Sequence, residues 1–510
     1  MLALQRRTLS TFISLAATVL TAPAFAADWP QFGYDGTHSG FNPAETALSA
    51  SSVASATSVY PNGATLSASV DSAPVYQSGV TTPGGTKDLL FLLSKNGKIM
   101  AIDAANGSEV WSHQTTGTQP TTASPAVDPN RQYVYSYGID GKAHKYQIGD
   151  GTEITSGGWP QTITLKPSVE KGASGFTIAS AGGTPYLVVV TDGYIGDGGD
   201  YQGHLVSINL TSGAQTTFNV MCSDKSIHFT LNGAVGTDDC AGRQSGIWGR
   251  GGATFDAATQ RVYIATGNGQ FNANSGGFNW GDSVLALSAD GSGNGGGMPR
   301  DSYTPTNFQS LQNSDTDLGS ISMAILPTPA GSSIAHLGMQ IGKDAKMRLI
   351  NLDNMSGQGG PAHVGGELQI LDVPQGGGGM REQPAVWVNP ADGSTWVFVA
   401  SGSGLSGVQL GVSGNTPALT SRWTKTGMAN SPVVANGVVY VAGSCSGGRC
   451  VVARNALTGD VLWTSPTIGS LHWQSPIVVN GAIYVTDGSA KLWKFAVPNT
   501  DTVFENGFDG

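Results

Sequence analysis

The sequence predicts an all-β protein, an eight-bladed β-propeller of four-stranded antiparallel blades. Three observations predict it. The 510 residues include 73 Gly and only 12% charged residues, a composition suited to many short strands joined by tight turns. The Ala-, Leu-, Glu- and Lys-rich runs that long amphipathic helices favour are missing. A strand–turn–strand unit recurs along the chain, which marks a fold built from one repeated supersecondary piece. A chain of this length ordinarily divides into several domains, but a closed ring of sheets can absorb all of it in one.

Residues 1–27 read as a signal peptide. Arg6 and Arg7 give the positive start, Phe12 to Leu20 the apolar stretch, and Ala24-Phe25-Ala26 the small-x-small cleavage site. The Arg pair resembles a twin-arginine signal, although the general secretory route is the favoured reading. The mature protein is therefore expected to be periplasmic or secreted. No later stretch reaches the ~20 apolar residues of a membrane span. The net charge of −10, with no Lys/Arg cluster, speaks against a nucleic-acid partner.

The repeat is clearest in Leu89–Trp111, LLFLLSKNGKIMAIDAANGSEVW, where an apolar strand, an Asn-Gly turn, a second strand, another Asn-Gly turn and a third strand ending in Trp follow one another. Val438–Trp463 repeats the pattern. A short strand tagged by Pro precedes several units, at Ser72, Ser124, Gln383, Ser431 and Ser475. With this innermost strand named A and the next three B, C and D, strand B begins near Leu89, Tyr133, Tyr186, Val262, Ala335, Val397, Val438 and Ile483. The second and sixth units are degenerate. The last, Ile483–Val497, stops after strand C, and the strand-like Val59–Val70 is expected to supply its missing outer strand, closing the ring and covering an exposed edge. The propeller then spans 28–497, and 498–510 is a short acidic, flexible tail. The alternatives are seven blades, with the sixth unit a loop excursion, or a β-solenoid, which needs shorter and more uniform repeats.

Four cysteines suit an oxidising compartment. Cys445 and Cys450 flank Ser446-Gly447-Gly448-Arg449 and are expected to form a disulfide closing a hairpin tip, which leaves Cys222 and Cys240 to pair across a long loop. A metal site would need a further Cys or His at close spacing. No Cys-x-x-Cys-His occurs, so no haem of the c type is expected.

The repeat pattern resembles the pyrroloquinoline quinone (PQQ) dehydrogenases and their relatives over nearly the whole mature chain, and Asp28-Trp29-Pro30-Gln31-Phe32-Gly33 resembles the start of many secreted quinoprotein-like propellers. Ile247-Trp248-Gly249 followed by Ala253–Gly269 looks like the segment that carries the Trp beneath the cofactor ring; the resemblance implies that Trp248 is a stacking platform and Asn268 a calcium ligand. Ser314–Asn354 is similar to the stretch holding an active-site Asp, also a metal ligand, and a basic residue touching the quinone oxygens, implying those roles for Asp317 and Lys343. Topology adds an independent reason. Trp248 and Asp317 precede A strands, while Asn268 and Lys343 follow B strands, and D–A and B–C connections open on the same face of a blade. All four are expected at one mouth of the channel.

The residue types fit the chemistry implied. A flat quinone needs an aromatic surface, calcium needs oxygen ligands, Asp317 can take a hydroxyl proton, and Lys343 can stabilise developing negative charge. Each also has a plainer reading: Trp248 as a channel plug, Asn268 as a left-handed turn residue beside Gly, and Asp317 with Lys343 as a solvated rim pair. The family's calcium-binding Glu has no clear counterpart; in the shorter loop Thr191–Asn209, Asp200 is the nearest substitute, with Asp197 and Asp192 behind it. The adjacent-cysteine disulfide of several alcohol-oxidising relatives is absent, as is their haem domain, so a separate electron acceptor is implied. Asp71, Arg381, Glu382, His472 and Trp473 are expected near the same mouth. Two functions compete: a PQQ- and calcium-dependent oxidoreductase for an alcohol, polyol or sugar hydroxyl, and a non-catalytic propeller that binds an envelope protein or a glycan.

Overall fold

The computed structural model describes residues 27–225, 240 and 242–498. The expected signal peptide, apart from Ala27, and the tail beyond Pro498 lie outside them. The described chain forms eight four-stranded antiparallel blades in a ring, with almost no helix. Blade 1 sets the pattern with Val75–Thr82, Gly85–Leu93, Lys98–Asp103 and Glu109–Gln114 as strands A to D. The B strands of the later blades are Tyr133–Tyr137, Thr184–Val190, Arg261–Ala265, Leu337–Ile341, Thr395–Ala400, Val438–Cys445 and Ala482–Asp487. The seven-blade and solenoid alternatives fall away. Leu89–Leu93 is buried on both faces, whereas strand D is largely open at its ends; inner strands are sandwiched between neighbouring blades and read as continuous apolar runs.

Asn-Gly turns do what their chemistry requires. Asn436-Gly437 and Asn480-Gly481 have φ of 47°, 74° and 52°, 71°, the left-handed pair of a two-residue hairpin turn whose twist matches the strands. Blades lock together through D-strand tryptophans. Trp111 Nε1 donates to Ile148 O at 2.9 Å and Trp423 Nε1 to Ala456 O at 3.0 Å, each reaching the next blade.

Blade 6, degenerate in sequence, has the longest C–D hairpin, Gly404–Ser413 with Thr416–Thr426. Its B–C turn is Ser401-Gly402-Ser403 rather than Asn-Gly, which makes the unit degenerate in sequence. Blade 8 takes its outer strand from the N-terminal region, as expected, but in two pieces: Thr57–Ser58 and Ala64–Thr65 both pair with Lys491–Ala496. Pro61, which lacks an N–H, and Gly63, at φ 67°, force a turn between them. Both expected disulfides are present, Cys222–Cys240 and Cys445–Cys450.

Residues 29–42 run around the inside of the channel, against the innermost strands of several blades. Trp29 exchanges backbone hydrogen bonds with Tyr76, and carbonyls of Pro30, Gly36, Ser39 and Gly40 accept from Val127, Phe255, Val386 and Val434. Phe41–Asn42 adds a parallel strand to Val433–Ala435. His38 is buried at the axis, with Nδ1 2.7 Å from Phe32 O and Nε2 2.8 Å from Ala253 O. The void left between this segment and the A strands measures about 10 Å³, the limit for a single water. The segment therefore stops the channel below the face onto which the D–A and B–C connections open.

Candidate functional site

On that face lies a cavity of about 340 Å³, lined by Trp248, Asn268, Asp317 and Lys343 together with Lys171, Asp192 and residues of the flanking loops. The connections between blades carry these side chains inward because glycines let backbones pass close to carboxylates. A Cβ on Gly246 would stand 2.1 Å from Asp192 Oδ1, and one on Gly267 2.6 Å from Asp317 Oδ1. No other residue leaves room there.

Asp317 is 3% exposed. Its Oδ1 accepts the Asn268 N–H at 2.6 Å, and its Oδ2 lies 2.5 Å from Lys343 Nζ. The Lys343 amide also donates to Asp317 O at 2.9 Å, which fixes the two chains to each other. Burial pushes the Asp317 carboxyl up, although Lys343 and the Asn268 N–H oppose it. Burial lowers the Lys343 ammonium, but Asp317 more than restores it and holds the charge. That ammonium sits 5.2 Å from the Trp248 ring centroid, a cation over an aromatic face. The pair is thus not a solvated rim pair: its carboxylate is buried.

Asp192 faces the same cavity. Burial pushes its carboxyl up to about 7, with Lys171 opposing and Asp317 adding to the rise. Behind the site, Asp282 is buried, accepts the Leu318 N–H at 2.9 Å on Oδ1, and has no partner for Oδ2. Burial raises it to about 8.

Asp200 does not line the cavity. Its backbone carbonyl accepts Lys166 Nζ at 2.7 Å, and its carboxylate lies 3.8 Å from the same ammonium. Asp197 and Asp192, the two carboxylates expected behind Asp200, both line the cavity, Asp197 Oδ1 also accepting the Tyr201 hydroxyl at 2.7 Å. The cavity floor is built from residues that converge from distant blades. Asp71 takes the Trp473 N–H at 3.0 Å, lies 2.7 Å from His472 Nδ1, and is 3.2 Å from Lys95 Nζ. Arg250 is buried between the Trp473 ring at 4.9 Å and the plug's Phe32 ring at 5.6 Å, and it donates to Trp473 O at 2.8 Å. Arg381 lines the cavity, whereas Glu382 is spent on the Ser431 N–H and hydroxyl, both at 2.7 Å.

The chain's outline is also that of known molecules. The PQQ_2 family, described as the outer membrane protein assembly factor BamB, matches residues 50–223. The quinohemoprotein alcohol dehydrogenase of Comamonas testosteroni superposes with a TM-score of 0.63 at 16% identity, covering 93% of this chain and 82% of that one. The fold is that of a quinoprotein-type propeller. A europium-containing methanol dehydrogenase gives 0.61 at 12% identity over 90% and 89% of the two chains, and the quinohemoprotein alcohol dehydrogenase ADHIIG of Pseudomonas putida HK5 gives 0.61 at 13% identity over 95% and 82%. No curated protein matches in sequence.

The lining of this quinoprotein-type propeller can be tested against a flat quinone and a divalent cation. The Trp248 indole offers a flat floor, and Lys171, Lys343 and Arg381 supply positive charge around it. Asn268, Asp192 and Asp317 are oxygen donors of the kind calcium prefers, and the rise of Asp192 comes first from burial, with a smaller addition from the charge of Asp317. Among the described residues no three His, Cys, Asp or Glu side chains stand in metal-binding array. Lys171, Arg250 and Asp282 escaped the sequence reading. They sit in blade connections with no periodic pattern, and only the ring brings them to the axis.

Proposed function

We propose that the chain is an exported PQQ- and calcium-dependent oxidoreductase that acts on the hydroxyl of an alcohol, polyol or sugar and passes electrons to a separate acceptor. The observation that carries this reading is the meeting of Trp248, Asn268, Asp317 and Lys343 on one cavity of about 340 Å³ at one end of a stopped channel. Trp248 would hold the quinone from below, and Asn268, Asp192 and Asp317 would hold calcium. When bound, PQQ supplies a two-electron acceptor whose carbonyl the cation polarises. The residues themselves do the rest. Asp317 Oδ2 is the atom that accepts the substrate's hydroxyl proton, and its burial makes it a stronger base than a surface carboxylate. Lys343 keeps its charge beside that carboxylate and steadies negative charge forming nearby. The stopped channel below keeps bulk water from reaching the site from behind.

Mature protein mixed with PQQ and calcium should bind the cofactor at micromolar concentration, change its absorbance, and reduce a dye with alcohols or sugars. Trp248→Ala should weaken cofactor binding about tenfold or more, and Asp317→Asn should lower kcat by about 10²–10⁴ with the cofactor still bound. Failure to bind PQQ at all would overturn this reading. The missing adjacent-cysteine pair favours a second one, a propeller that binds an envelope protein or glycan; recovery of a stable partner by a protein without dehydrogenase activity would support it.

A further inference from the structure

Lys171 lines the cavity, and the proposed chemistry gives its ammonium no specific contact. It lies in the connection leading into blade 3, where Glu170 and Lys171 form a short antiparallel ladder with Gly193 and Asp192. Successive strand residues point to opposite sides. Glu170 points outward, where its Oε2 accepts the Gln202 N–H at 2.9 Å and lies 3.8 Å from Lys166 Nζ. Lys171 points inward and lines the cavity.

Its surroundings are unusual for a lysine. It is only 9% exposed. Its ammonium lies 4.8 Å from the Tyr194 ring centroid, and among the described residues no carboxylate comes within 4.0 Å of it and no hydrogen-bond acceptor holds it. Lys166 has Glu170 and Asp200, Lys343 has Asp317, and Arg348 has Asp344 as counter-ions, and the buried Arg250 at least donates to the carbonyls of Thr122 and Trp473. A buried charge without a counter-ion is costly and persists where something else compensates it. Burial lowers the Lys171 ammonium, opposed by Asp192 and then Asp71 at longer range.

We propose that Lys171 is the anchor for a carboxylate group of the molecule that occupies this cavity. The inference rests on the cavity being a ligand site, as above, but not on which ligand enters. A carboxylate beside the ammonium forms the charge-assisted pair that the protein itself withholds. The carboxylate belongs either to the quinone, which carries three, or to an acidic substrate such as a sugar acid.

The test compares wild type with Lys171→Met and Lys171→Arg, all first shown to share the same circular dichroism and melting temperature within a few degrees. Three probes are titrated by calorimetry or tryptophan fluorescence: benzene-1,3,5-tricarboxylate, PQQ, and the trimethyl ester of PQQ. Wild type should bind the tricarboxylate, Lys171→Met should bind it at least tenfold more weakly, and Lys171→Arg should recover most of the loss. A tenfold loss for PQQ with none for its ester assigns the carboxylate to the cofactor. Unchanged PQQ affinity with a tenfold fall in kcat/KM for gluconate, and none for glucose, assigns it to substrate. Tricarboxylate binding that depends on Lys171, in a protein that ignores PQQ, would sustain the anchor while overturning the quinone reading. Equal affinities of wild type and Lys171→Met for every probe, or no binding of any, overturns the anchor.

Discussion

Asp282 shows how a single buried carboxyl ties the site to the stability of its scaffold. It holds the Leu318 N–H beside Asp317 while its second oxygen lacks a partner. Its folded pKa, raised from 3.8 to about 8 by burial, exceeds the unfolded value. The stability it contributes is therefore full below about pH 4 and is lost as pH climbs through about 8. Asp282→Asn keeps an oxygen for Leu318 and cannot ionise. Its unfolding free energy should exceed that of wild type by a margin that grows from about pH 4 to about pH 8 and then levels, on the order of a few kcal/mol at the plateau, with Tm rising in step. Melting curves that stay parallel at all pH values would contradict this. At this scale the sequence was readable only in part. Trp248, Asn268, Asp317 and Lys343 stood out by resemblance and by their places next to A and B strands, because connection topology decides the face. Asp200 stood out for its acidic loop, but loop paths have no period, and it was Asp192 and Asp197 that turned inward.

Single blades depend on close contacts between neighbours. Gly151 has φ 75°, and a Cβ there would stand 2.6 Å from the Trp111 ring, the same indole that reaches across to Ile148 O. Gly151→Ala should cost about 2–4 kcal/mol, from left-handed strain plus overpacking. Gly414, at φ 67° and with open space for 4 Å around the position a Cβ would take, is the control: Gly414→Ala should cost about 1–2 kcal/mol, the strain alone. Urea unfolding of both variants measures the difference, and equal losses would mean that Trp111 yields freely. Strands themselves were legible because apolar runs of five or so residues between Asn-Gly pairs leave few other structures. Where the turn was Ser-Gly, as in blade 6, or the strand was cut by Pro61, the same physics gave the right blade with poor boundaries.

Ring closure belongs to the whole molecule. Thr57–Ser58 and Ala64–Thr65 cover the outer edge of Lys491–Ala496, and Trp463 Nε1 donates to Ala56 O at 3.0 Å across the seam. Deleting Thr57–Thr65 should expose that edge, lower Tm by about 5–10 °C, and promote association through the bare strand. Calorimetry with size-exclusion chromatography reads both effects; a monomer melting at the wild-type temperature would show that closure is redundant. The seam was foreseeable from a last unit one strand short. The inner segment 29–42 was not, since its contacts are scattered over strands hundreds of residues away.

That segment has a consequence for traffic. Among the described residues, His38 reaches the Ala253 carbonyl and Phe32 lies against Arg250, so the inner segment fills the channel beneath the pocket. A molecule entering from the side of Trp248 and Lys343 would then meet packed side chains rather than an open passage at the far end. Such a molecule would leave by the way it came.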